Sequence, residues 1–95
     1  MNDFKINFAV TAGINAAMQD NQPMQAAIKT AVDAFTNFNF GNVPAEDAQC
    51  NLQDFKARDG HILGRYTTPA GEIYINMEFD SESSGTAVIM FRDEW

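Results

Sequence analysis

The sequence predicts an α+β fold: one main amphipathic helix packed on a mostly antiparallel sheet of four to five strands, in the order β-α-β-β-β-β. Three observations predict it. Between Glu72 and Asp80 the apolar residues Ile73, Ile75, Met77 and Phe79 take every second position, with Glu72, Tyr74, Asn76 and Glu78 between them. A period of two marks a strand with one buried face and one wet face. After Pro23, the residues Met24, Ile28, Ala31, Phe35 and Phe38 recur every three or four positions. That is the stripe of an amphipathic helix of about four turns. No long linker or repeat divides the 95 residues, so 1–95 reads as a single domain.

Taken in order, Phe4, Ile6, Phe8 and Val10 alternate with polar or small residues and predict a first strand. Gly13 weakens the competing helical reading, and residues 11–13 read as a turn. Ile14 to Gln19 has room for one or two helical turns. Asp20 or Asn21 is placed to cap the main helix, and Pro23 is tolerated in its first turn because it has no N–H to satisfy. Asn37, Asn39 and Gly41-Asn42 end that helix. Residues 43–47 read as a loop, with a short turn through Cys50. Leu52 to Arg58 is the weakest of the expected strands, and Asp59-Gly60 after it is a hairpin signal. His61 to Thr68 follows, then a tight connection at Pro69-Ala70-Gly71. After the organising strand, residues 80–85 form a polar loop. Thr86 to Phe91 is apolar almost without break, as in a central strand.

The chain carries 13 acidic and six basic residues, a net charge of −7. This balance argues against binding a phosphate backbone, which needs clustered Lys and Arg. It suits a protein whose partner is basic. Cys50 is the only cysteine, so neither an internal disulfide nor a thiolate cluster is expected. The N-terminal residues lack the apolar run of a signal peptide or membrane span, and the expected location is the cytoplasm.

The sequence offers little catalytic chemistry. His61 is the only histidine. Pairing it with Cys50 would give a base and a nucleophile, but supporting groups are not evident. The plainer reading is a polar residue after a turn. A zinc site lacks its ligand cluster. Glu72 and Glu78 share a strand face about 20 Å apart, too far to flank one scissile bond. Glu78, Asp80 and Glu82 are closer, yet they lack the spacing of a calcium loop. Phosphate-binding glycine motifs are missing. No catalytic residue, metal or cofactor is therefore assigned.

A resemblance covers most of the chain. Val10-Thr11-x-Gly13-Ile14, then Ala27-Ile28 and Ala31-Val32-x-Ala34-Phe35-x-x-Phe38, resemble the front half of a small bacterial domain family of unknown function found on plasmids and other mobile elements. His61-Ile62-Leu63-Gly64, Gly71-Glu72, residues 73–80 and residues 87–95 are similar to its second half. Ile62 stands where the family has an Asp, and Ile75 and Asn76 where it has Trp and Lys. The resemblance implies residence on mobile DNA, where small acidic proteins resemble antirestriction and anti-CRISPR inhibitors of host defence.

The expectation is thus a small, acidic, non-enzymatic protein-binding domain. Its contact would be the wet strand face and the following loop: Glu72, Tyr74, Glu78, Asp80 and Glu82. Its partner would be a protein with a basic surface, such as a nucleic-acid-handling complex, with no direct contact to nucleic acid or membrane. The plainer alternative is a solvated face that keeps the protein soluble. A different class of reading is a homo-oligomeric module, a homodimer paired through an exposed strand edge.

Overall fold

The computed structural model describes residue 1 and residues 3–95. It is an α+β fold with the elements β1 (Lys5–Val10), α1 (Ala12–Met18), α2 (Gln22–Thr36), α3 (Ala45–Ala57), β2 (His61–Thr68), β3 (Gly71–Phe79) and β4 (Ser84–Phe91), then one 3-10 turn over Arg92–Glu94. The four strands form one sheet in the order β1-β4-β3-β2. β2, β3 and β4 are an antiparallel meander, and β1 joins β4 in parallel.

The alternation in β3 does what its pattern predicts. Ile73, Ile75 and Met77 are fully buried, while Glu78 is exposed and Glu72, Tyr74 and Asn76 are half-buried on the opposite face. Cross-strand register adds Ile62 and Tyr66 from β2 and Ala87 and Ile89 from β4 to the inner face. α2 covers that face with Met24, Ile28, Ala31 and Phe35. Met24, Ile28 and Phe35 each contribute about 1.5–3 kcal/mol when taken fully out of water. The Asn21 side chain caps α2 by accepting from the Met24 N–H at 3.1 Å, and Pro23 sits in its first turn. α1 begins at Ala12, inside the turn expected over residues 11–13, because the Thr11 hydroxyl accepts from the Ile14 N–H and supplies its cap.

The largest departure from the sequence reading is α3. The expected loop over 43–47 and strand over 52–58 are one helix, and the element order is β-α-α-α-β-β-β. Ala48, Asn51 and Phe55 form its inward row at helical spacing, but the buried member is Asn51 and the apolar Leu52 is 43% exposed. A polar residue on the inner row hides the helical period from a count of apolar residues. Glu46 and Asp47 in the first turn and Lys56 in the last suit the helix dipole. Asp59-Gly60 accordingly closes no hairpin. Arg58 takes the left-handed conformation that ends α3, and Gly60 turns the chain into β2 at φ +75°.

Phe55 joins Phe4, Phe38 and Phe79 at one end of the core, with ring centroids 5.1, 5.1 and 6.1 Å away. The Arg58 guanidinium lies 4.2 Å from the Phe55 centroid and covers the cluster from outside.

The outer edge of β2 is covered at its middle, at Leu63 and Arg65. Asn51 donates to the Leu63 carbonyl at 2.9 Å and accepts from the Leu63 N–H at 3.3 Å, so one side-chain amide replaces a neighbouring strand. Two residues on, the Arg65 N–H donates to the Phe40 carbonyl and the Arg65 carbonyl accepts from the Asn42 N–H. Gly41 bridges β2 at this point with φ +72°, and a Cβ there would fall on the Arg65 carbonyl oxygen. Tyr66 ties down the same segment by donating its hydroxyl to the Asn39 carbonyl at 2.7 Å. Burial pushes the Tyr66 phenol well above its ordinary pKa, because the phenolate would lose its hydration.

Candidate functional site

The helix-free face of the sheet is built by register. One row runs His61, Glu78, Thr86, Asn7; the next Leu63, Asn76, Val88, Ala9; a third Arg65, Tyr74, Met90. Every row crosses strands whose other face is fixed by the core, so these side chains have no freedom to change sides.

The five residues expected to form one acidic contact divide into two groups. Glu72 is at one end and half-buried, within 3.2 Å of Arg65 and 3.9 Å of Arg92. The two guanidinium groups neutralise it, so it adds no free charge to the surface. Tyr74 lies beside it, edge-on to Trp95 at 5.6 Å between centroids and beneath Arg65 at 5.8 Å. Glu78, Asp80 and Glu82 gather at the other end, on and after the end of β3, and all three are exposed. Asp80 accepts from the Thr86 hydroxyl at 2.7 Å, and the Glu82 carbonyl accepts from Arg58 Nε at 2.7 Å. Hydroxyl contacts among Ser81, Ser83 and Ser84 brace the turn that carries them. The segment that carries Asp80 and Glu82 is therefore a structured turn.

Between the two groups the face is less wet than its sequence pattern implies. Leu63, Val88 and Met90 are half-buried there, and Trp95 is 61% exposed. Sequence reasoning missed this centre because each residue was assigned to its own strand, and the surface exists only once three strands lie in register. The signal available was the unbroken apolar run of β4, which requires apolar residues on both faces. Asn76 Oδ1 and Arg65 Nε are buried on this face without a hydrogen-bond partner among the described residues.

Two of the grooves in the surface lie against the sheet and its helices. One of about 320 Å³ lies beside α3 and is lined by Asp47, Cys50, Asp54, His61 and Tyr74 among others. Cys50 and His61 share its wall, and among the described residues no hydrogen bond joins them to each other or to an orienting carboxylate. The other, of about 470 Å³, lies between α2 and the 39–42 segment and is lined by Ala27, Thr30, Ala31 and Gly41 with Arg65 and Tyr66. Its floor is helix surface and backbone. Among the described residues no three His, Cys, Asp or Glu side chains cluster as metal ligands, and no helix is long and apolar enough to cross a membrane. No family model, curated protein or solved structure matches the chain.

Proposed function

We propose that this chain is a non-enzymatic protein-binding domain that docks its helix-free sheet face on a basic protein surface. The observation that supports it is the layout of that face: an apolar and aromatic centre of Leu63, Val88, Met90, Tyr74 and Trp95, with the free carboxylates of Glu78, Asp80 and Glu82 at one end. Protein interfaces combine a desolvated aromatic or apolar centre with a polar rim, and Trp, Tyr and Arg carry most of the energy. The carboxylates would speed encounter with a basic partner and select its orientation. Glu72 takes no part as a free charge; it holds Arg65 and Arg92 in place.

The resemblance to mobile-element domains, together with the net charge of −7, indicates the class of target. A host defence complex that handles nucleic acid presents basic surface, and an acidic domain that occupies it acts as an inhibitor of the anti-CRISPR or antirestriction kind.

The test has two arms. Purified defence effector complexes are titrated with the protein, and cells carrying the same systems are challenged with phage. Binding that weakens at least tenfold in Glu78→Lys/Glu82→Lys and falls with added salt supports the reading, as does restored phage growth that the same variant loses. Binding that is indifferent to both the double reversal and Trp95→Ala would discard the face.

A further inference from the structure

The two edges of the sheet are treated differently, and the untreated one is β1. In the parallel ladder Lys5 N–H donates to the Ser83 carbonyl and Thr11 N–H to the Ile89 carbonyl, so the odd-numbered residues of β1 point their backbone groups at β4. Ile6, Phe8 and Val10 consequently aim their N–H and C=O groups at the free edge, where no hydrogen bond meets them among the described residues. The strand has no proline, no bulge and no central charge, the usual devices that blunt an edge. Phe8 and Val10 are 36% and 41% exposed, although both lie on the apolar side of the strand.

We propose that this edge is where a second copy of the chain docks, β1 against β1 in antiparallel register about Phe8. Charge selects this occupant. The stretch from Phe4 to Gln19 contains no carboxylate, and its one charged residue is Lys5, in a chain of net charge −7. A basic partner would find nothing there to attract it. Pairing centred on Phe8 sets Ile6 against Val10 of the other copy and Phe8 against itself, with roughly six backbone hydrogen bonds across the join. It also sets Lys5 opposite the other copy's Thr11. Thr11 donates its hydroxyl to Glu94 Oε1 at 2.8 Å, so that carboxylate stands on the same face as the incoming ammonium group. Two-fold symmetry makes the contact twice.

Opposed residues share a face in this register, so both helix layers fall on one side. The two helix-free faces merge into a surface twice as wide, presenting the carboxylates of Glu78, Asp80 and Glu82 at two places. The dimer goes beyond the proposed target binding and is measured without any target, so either can fail alone.

Sedimentation velocity on the purified full chain across a wide concentration range reads the oligomeric state. The expected result is a concentration-dependent dimer that Val10→Lys converts to monomer without moving the melting temperature by more than a few degrees. Lys5→Glu sets like charges opposite each other and should weaken the dimer by about threefold to tenfold. Register is read by oxidising Phe8→Cys in a Cys50→Ser background. A cross-link between two copies supports pairing about position 8, since directly opposed hydrogen-bonded residues lie about 5.5 Å apart, within disulfide reach. A protein that stays monomeric at millimolar concentration, or a dimer unmoved by Val10→Lys, would overturn the proposal. So would an edge that takes up only a foreign peptide strand.

Discussion

β2 and β1 are both edge strands, and both come with polar backbone groups that the sheet itself does not pair. Along β2 the chain answers those of two residues, through Asn51 at Leu63 and the 40–42 backbone at Arg65, and Asn42 Nδ2 adds a side-chain contact to the Thr67 hydroxyl. Along β1 it answers none at Ile6, Phe8 or Val10 among the described residues. The contrast lies in local chain resources. β2 is preceded by α3 and flanked by the segment that leaves α2, so two stretches of chain run past its edge. β1 runs through Thr11 straight into α1, which passes its end and not along its edge. An edge left bare while its counterpart is covered at its middle is a place where solvent or another strand must supply the missing hydrogen bonds.

The largest effect on this contrast is expected at Gly41. Gly41→Ala adds a Cβ at a positive φ against the Arg65 carbonyl, forcing the 40–42 segment away from β2. A loss of roughly 3 kcal/mol in chemical denaturation is expected. A loss under about 0.5 kcal/mol, the scale of an ordinary surface substitution, would show that the seal contributes little. Next is Asn51→Ala, which strips both partners from Leu63 and empties a buried position. About 2 kcal/mol should be lost, and the Leu63 amide should exchange with solvent at a rate nearer that of the bare β1 amides. Unchanged protection at Leu63 would mean that water serves this edge as well as the side chain does.

A smaller effect follows from Tyr66→Phe, which removes the hydroxyl that anchors Asn39. About 1 kcal/mol is expected at neutral pH. The pH dependence sharpens it. Burial raises the folded pKa above that of the free phenol, so the unfolded chain ionises first. The stabilising difference is complete below about pH 10 and is lost as pH rises above it. The wild type should therefore lose stability above about pH 10 more steeply than the variant does, as followed by circular dichroism. At the β1 edge the smallest effect on folding is expected from Val10→Lys, whose side chain already has access to water.

The strands and α2 were legible because their apolar residues keep a regular period and their ends carry turn or capping residues. Asn21, Pro23 and Gly71 are local signals with local causes. α3 was not legible, since its most buried residue is an asparagine whose partner is the backbone of β2, twelve residues further along. No count of apolar positions registers a side-chain amide acting in place of a strand. The parallel placement of β1 was equally hidden, because nothing within residues 5–10 states which strand they will meet. The candidate site was half visible. Glu78, Asp80 and Glu82 are close in sequence, and all three are exposed on or just after the end of β3. Glu72 stands apart from them, and its pairing with Arg65 and Arg92 was hidden because these arrive from two other parts of the chain.

The parallel join of β1 to β4 couples Lys5 to Ser84 and Val10 to Ile89. Contacts so distant along the chain are made late, since closing a loop of that size costs entropy before any strand pairing compensates it. The meander of β2, β3 and β4 can nucleate from its own tight turns, so the rate of reaching the native state should be governed by the capture of β1. During that interval Ile6, Phe8 and Val10 have no β4 to lie against, and crowding at synthesis would favour misassembly through them.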